Sequence, residues 1–243
     1  MGTVFITGAN RGIGKAILLK FAEKHFDAIV STRVRYNEFE EECRNIEKKY
    51  NIKIHHIYMD LSDRESIKFG LRQFSTLGIT PSVLINNAGV FHEKTTFLTR
   101  LEEMDMVFQI NYFAAVQITQ TISKKMLRHG GAVVNVSSVA SMMKQPLATC
   151  YGASKAALNR FTYSLAQELA PFNIRVNAIA IGIANTDMRD KLSEKSLTAI
   201  KSATALKRVC DSKEIADAVY YLSTEESSFI TGQIIRVDGG LTI

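Results

Sequence analysis

Tyr151-Gly152-Ala153-Ser154-Lys155 places a phenol and an ammonium four residues apart. On a helix such residues share one face, a turn apart. A free phenol, with pKa ~10, exchanges protons poorly near neutrality. A neighbouring ammonium favours the phenolate, so the pair could run acid–base chemistry. Standing alone, the pattern is equally a surface coincidence. A second suggestive stretch is Thr7-Gly8-Ala9-Asn10-Arg11-Gly12-Ile13-Gly14. Glycines there allow a tight turn and bring backbone N–H groups close to a pyrophosphate at a helix N-terminus. The spacing is G-x-x-x-G-x-G, not the commonest dinucleotide fingerprint G-x-G-x-x-G, and a plain strand-to-helix turn would look alike. Gly14-Lys15 leads into Ala16, which disfavours a P-loop.

Dinucleotide sites place an acidic residue after the second strand, on the ribose 2′-hydroxyl. Here that place reads Ser31-Thr32-Arg33, with Arg35 close behind and Arg11 in the glycine loop. Arginine binds a 2′-phosphate through charge-assisted, often bidentate bonds. The set points to NADP(H) over NAD(H); a solvated basic loop is the alternative.

Positioning these groups requires alternating elements. Gly2–Thr7, Ala28–Thr32, Ile52–Met59, Ser82–Asn86, Ala132–Ser137, Ile174–Ile179 and Ile234–Val237 are short runs suited to strands. Helical spacing falls between them, over Gly14–Lys24, Asn37–Tyr50, Arg64–Phe74, Leu101–Leu127, Tyr151–Leu169, Asp187–Lys201 and Lys213–Leu222. Asn37 before Glu40 and Ser62 before Glu65 read as helix starts. Apolar strands alternating with amphipathic helices predict a doubly wound α/β fold, a seven-stranded parallel sheet with helices on both faces. No linker or repeat interrupts the pattern, so residues 1–243 read as one domain.

Composition narrows the function classes. With 46% hydrophobic and 22% charged residues, the 243-residue chain reads as an ordinary globular protein. Its net charge of +6 is open to nucleic acid, a membrane surface or anionic small molecules. No basic run with interleaved aromatics occurs, which disfavours nucleic acid, and no apolar stretch suits a membrane span. Three widely spaced cysteines and a strand-like run starting at Gly2 lead to an expected cytoplasmic, reduced location. The five histidines show no metal-ligand spacing, so no metal is expected.

Further motifs accompany the glycine loop and the Tyr–Lys pair. Asn86-Asn87-Ala88-Gly89 ends the fourth strand, and Val136-Ser137-Ser138 ends the fifth, thirteen residues before Tyr151. With TGANRGIG, MDLSD, Asn111 and the closing ITGQIIRVDGG, the chain resembles a short-chain dehydrogenase/reductase over its full length. It is most similar to the 3-oxoacyl-acyl-carrier-protein reductase-like branch. The resemblance implies a Rossmann-like fold in which Tyr151 exchanges the proton with a substrate carbonyl or alcohol. Lys155 would lower the Tyr151 pKa and bind the nicotinamide ribose, Ser138 would orient the carbonyl, and Asn111 would hold a relay water. Gly8, Asn10, Arg11, Gly12, Ile13 and Gly14 would form the phosphate loop, with Thr32 and Arg33 beside the adenosine ribose. Asp60 and Leu61 match the adenine pocket, and Asn87, Ala88 and Gly89 match the ribose side. Gly182, Ile183 and Thr186 would meet the nicotinamide carboxamide and diphosphate. Met142, Met143 and Leu147 would line the substrate pocket; a subunit contact is the alternative.

Two departures stand out. The family's Pro-Gly after the sixth strand is Ile181-Gly182 here, which leads us to expect a less rigid turn. The carrier-docking arginine of the family falls at Phe172, with Arg128 and His129 near the other docking position. Cys150 has no evident activating base and reads as packing. Family resemblance also implies that the helices of Leu101–Leu127 and Tyr151–Leu169 pair across subunits in a homotetramer, or a dimer. The expected activity is NADPH-dependent reduction of a carbonyl, on a 3-oxoacyl thioester carried by acyl-carrier protein. Rivals are reduction of a keto-sugar or polyol partner, and a catalytically silent NADP(H) sensor. The region Asp187–Lys201 is the expected substrate lid.

Overall fold

In Thr3–Thr7 the run Val4-Phe5-Ile6-Thr7 is buried throughout and offers no face to water. Such a segment is stable at the centre of a sheet covered on both sides. It forms β1, joined by β2 (Asp27–Thr32), β3 (Ile54–Tyr58), β4 (Val83–Asn86), β5 (Gly131–Ser138), β6 (Ile174–Ile181) and β7 (Ile234–Val237). The computed structural model describes residues 2–185 and 194–242. Among these the sheet is parallel, in the order β3-β2-β1-β4-β5-β6-β7. The chain therefore leaves β1 toward β2 and later returns to its other side at β4. That reversal opens a crevice at the carboxyl ends of β1 and β4.

Alternation along β1 feeds two cores. Val4 and Ile6 join Ile17, Phe21 and Val219, under α1 (Gly12–Glu23), α2 (Asn37–Tyr50) and α8 (Ser212–Ser223). Phe5 joins Phe74, Ile118 and Leu165, under α3 (Arg64–Thr76), α5 (Ala114–Met126) and α6 (Thr149–Leu169). The Phe5 and Phe74 rings meet edge to face at 5.5 Å.

Several element ends differ from expectation. Asn37 is the first residue of α2 rather than its cap; Tyr36 holds the cap position without a side-chain bond. Glu40, expected to reach back to Asn37, instead accepts from Arg35 at 2.7 Å and from the Tyr58 hydroxyl. At α3 the cap is Asp63, accepting from Glu65 N at 2.9 Å, because Ser62 gives its hydroxyl to Asp60. The helical stretch expected over Leu101–Leu127 runs as α4 (Leu101–Phe108), a π-helical turn over Gln109–Phe113, and α5. A π-turn is a single-turn insertion inside a helix, and Gln109–Phe113 carries no proline or glycine that would mark it in the sequence. Ile181 is a strand residue in register with Ser138 on one side and Val237 on the other. A proline there could not donate to the ladder. The expected lid is described only from α7 (Glu194–Ala203) onward; residues 186–193 lie outside the described residues. No described helix is long and apolar enough to cross a membrane.

Candidate active site

α1 begins after Arg11 with no side-chain cap and no acidic residue in its first turn. Its N–H groups and the positive end of its dipole thus face outward, the arrangement that suits a phosphate. The glycines before it divide the work. Gly8 and Gly12 hold φ of 67° and 52°, in the left-handed region. A Cβ on Gly14 would stand 2.0 Å from the Gly8 carbonyl oxygen. The loop after β4 is stapled to this turn. Asn87 Nδ2 donates to the Thr7 and Gly8 carbonyls at 2.9 and 3.1 Å, while Thr7 Oγ1 accepts from Asn87 N and Ala88 N at 3.0 Å.

Between the two loops lies a cleft of about 560 Å3. It is lined by Gly8 and Asn10 through Gly14, by Thr32, Arg33, Asp60 and Leu61, and by Asn87, Ala88 and Gly89. Arg33 is exposed. The Asp60 carboxyl is held below its ordinary range, chiefly by the Ser62 hydroxyl, with the Ser62 N–H and the Arg33 charge adding. Arg35 is committed elsewhere, through its ion pair with Glu40. Sequence reasoning did not place Tyr36, Val90, Phe91, Met106 and Ile110 in the cleft. Val90 and Phe91 follow Gly89 directly and could have been found there; Met106 and Ile110 arrive through α4 and the π-turn, which carried no signal. Gly182 and Ile183 do not line this cleft but follow Ile181, the register partner of Ser138. Gly182 N donates to the Val237 carbonyl at 3.1 Å. Ile183 lines a second cavity of about 440 Å3 with Thr204, Arg208, Arg236 and Asp238. Thr186 lies outside the described residues.

Behind Gly89 and Phe91 of the cleft lining, α6 presents Tyr151 and Lys155, both buried. Burial pushes the Tyr151 phenol up, and a hydrogen bond from Ser138 opposes that rise. Ser138 Oγ accepts from Ala140 N at 3.2 Å, which leaves its hydrogen for Tyr151. Lys155 Nζ donates to the Val136 carbonyl at 2.8 Å and lies 6.0 Å from the Tyr151 ring centre. Full burial lowers its pKa to about 8. Asn111, on the π-turn, is also buried. Its Oδ1 accepts from Val90 N at 2.8 Å, and its Nδ2 donates to the Val90 carbonyl and Ser154 Oγ, both at 3.0 Å. A Cβ on Gly89 would come within 3.1 Å of Asn111 Oδ1 and 3.3 Å of Lys155 Nζ, so Gly89 keeps these groups open to the cleft. The structure thus brings together all four residues expected to be catalytic.

The loop between Ser138 and Tyr151 carries the expected substrate residues. Met142 and Leu147 expose 49% and 44% of their surface, and Met143 is half-buried. Leu147 holds φ of 66°, an uncommon conformation for a side chain of its size, and its carbonyl accepts from Lys94 N at 2.7 Å. The Phe91 ring packs edge to face on Tyr151 at 5.0 Å. Burial raises the Cys150 thiol, which opposes a nucleophilic role. Among the described residues, no cluster of His, Cys, Asp or Glu could hold a metal ion.

A family profile described as Enoyl-(Acyl carrier protein) reductase matches residues 8–242. The chain belongs to the short-chain dehydrogenase/reductase family. Short-chain dehydrogenases/reductases similar to it include the 3-oxoacyl-acyl-carrier-protein reductase of Aquifex aeolicus, 36% identical over 97% of this chain and 95% of that one. A reductase of the same description from Brucella melitensis, with bound NAD, superposes with a TM-score of 0.90 at 28% identity, over 100% of this chain and 91% of that one. An NADPH-dependent reductase involved in bacilysin biosynthesis also gives 0.90 at 28% identity, over 99% and 98%. As a member of the family, the protein is an oxidoreductase of CH–OH and C=O groups that uses a nicotinamide cofactor. The uncapped helix start, the close approach at Gly14 and the paired loops fit such a dinucleotide.

Proposed function

We propose that the protein is an NADPH-dependent carbonyl reductase acting on 3-oxoacyl thioesters, with the whole chain serving as one cofactor-binding domain. The observation that carries the catalytic part is the convergence of Ser138, Tyr151 and Lys155 beside Gly89 of the cleft lining. NADPH, when bound, supplies the hydride. Ser138 donates a hydrogen bond to the carbonyl oxygen as negative charge develops there. Tyr151 delivers the proton to that oxygen, and its burial keeps the phenol protonated until the reaction demands it. Lys155 carries positive charge next to the phenol and binds the ribose hydroxyls, with Asn111 holding a water that returns the proton from solvent.

The preference for NADPH rests on Arg33, exposed in the cleft where a carboxylate would otherwise repel a 2′-phosphate. Arg11 lines the same cleft. The acyl-thioester reading rests on the relatives' activity, on the Phe91 ring against Tyr151, and on exposed apolar Met142 and Leu147 in the loop between Ser138 and Tyr151, which suit an alkyl chain better than a polyol. Arg128, His129 and Phe172 are exposed and available to an acidic carrier. The location is taken as cytoplasmic and the assembly as a homotetramer. NADPH oxidation across 3-oxoacyl thioesters, keto-sugars and simple ketones tests the reading. Turnover is expected on the thioesters. A preference for keto-sugars would replace the substrate class, and tight NADPH binding with no turnover on any would favour a sensor.

A further inference from the structure

β5 outruns β4. Their register ends at Asn86 opposite Asn135, whereas β5 continues beside β6 through Ser138. Val136, Ser137 and Ser138 therefore have one strand neighbour and one bare edge. Carbonyls two residues apart in a strand project to the same edge, and on the overhang these belong to Val136 and Ser138. Each is met by a group tied to α6. The Val136 carbonyl accepts from Lys155 Nζ at 2.8 Å. The Ser138 carbonyl accepts from Ser141 Oγ at 2.5 Å, and Ser141 Oγ accepts in turn from Asn159 Nδ2 at 2.8 Å.

We propose that Ser141 and Asn159 are positioning residues that hold the catalytic Ser138 at a fixed distance from Tyr151. Lys155 and Asn159 are one helical turn apart, so a single rigid helix carries the phenol, the ammonium and the strut that locates the serine. The direction of the strut is set by donor accounting. Ser141 has one hydroxyl hydrogen and spends it on Ser138, so Asn159 must present its amide nitrogen rather than its oxygen. That choice leaves Asn159 Oδ1 buried without a hydrogen-bond partner among the described residues. An apolar side chain would fill the same volume without such an orphan, so packing alone does not account for an asparagine there. With its carbonyl held by Ser141 and its Oγ accepting from Ala140 N, Ser138 keeps one hydroxyl hydrogen that it can offer to Tyr151. The charged group facing the Tyr151 ring is Lys155.

The inference rests on the proposed roles of Ser138 and Tyr151, and a double-mutant cycle separates the two. The Tyr151 titration is followed by phenolate absorbance, as the difference between each protein and its Tyr151→Phe counterpart with NADP+ bound. Asn159→Leu and Ser141→Ala are expected to raise its midpoint by about one pH unit, and to raise it no further in a Ser138→Ala background. With acetoacetyl-CoA and NADPH the same two variants are expected to lower kcat about tenfold with the KM for NADPH unchanged. Ser141→Ala removes one half-buried hydroxyl and serves if Asn159→Leu fails to fold. An equal midpoint shift with and without Ser138, or none in either, overturns the strut. If Ser138→Ala itself leaves the midpoint in place, the Ser138–Tyr151 reading falls and the strut with it.

Discussion

Lys155 is 4% exposed and carries its charge among groups that offer one carbonyl, that of Val136. Burial lowers its pKa from the ordinary 10.5 to about 8. Below about 8 the folded protein holds a desolvated ammonium, at a cost on the order of 3 kcal/mol. Between that value and the ordinary one, the unfolded chain binds a proton that the folded chain does not, so the free energy of unfolding rises with pH. Lys155→Met is therefore expected to be inactive yet more stable than the parent at neutral pH, by about 1–3 kcal/mol. It should also lose that alkaline rise; urea titrations of the cofactor-free protein across the interval read both effects. Arg33 has a separate test. Arg33→Asp should reverse a preference for NADPH over NADH by at least about tenfold, an effect on the scale of one charge-assisted contact. Isothermal titration of both cofactors measures it, and a parent that prefers NADH contradicts the assignment. At this scale the sequence names Tyr151, Lys155, Ser138 and the glycine loop because they are fixed-distance groups whose chemistry depends on residue type, and the structure brings Tyr151, Lys155 and Ser138 together. Phe91 was not seen, since an aromatic ring beside a motif has no spacing rule to announce it.

Elements were legible where hydrophobic period and turn chemistry agree. α2 and β7 match expectation residue for residue. The misses came where capping side chains chose other partners: Glu40 went to Arg35 and Tyr58, and Ser62 to Asp60. Such choices depend on what the fold brings near. Gly14→Ala probes the close approach at the start of α1. Its Cβ would meet the Gly8 carbonyl at 2.0 Å, so loop and helix must part. NADPH affinity should fall by about tenfold or more, while urea unfolding shows a smaller loss, of about 1–3 kcal/mol. At α8, Asp211 accepts from Lys213 N at 2.8 Å, and Glu214 accepts from Asp211 N at 2.9 Å. Asp211→Ala removes that capping pair and should cost about 1 kcal/mol in a denaturant titration, with NADPH binding unchanged.

For the whole molecule, strand order and the two-sided core set the crevice where the cofactor loops meet, and the net charge of +6 gains a partial explanation. Arg11 and Arg33 line the cleft proposed to hold a phosphate-rich dinucleotide, and Lys155 lies next to Gly89, which lines it too. Phe113, at the π-turn, and Tyr163, on α6, expose 42% and 47% of their surface, in keeping with pairing of these helices between subunits. Light scattering should give four chain masses, and a monomer would contradict that assembly. The central claim is that Tyr151 is the proton donor in an NADPH-driven reduction. Rapid-mixing measurement of NADPH oxidation with acetoacetyl-CoA, comparing the parent with Tyr151→Phe, addresses it most directly. The rate should fall by about 10²–10⁴-fold while NADPH affinity stays the same; a Tyr151→Phe protein that turns over as fast as the parent would contradict the account.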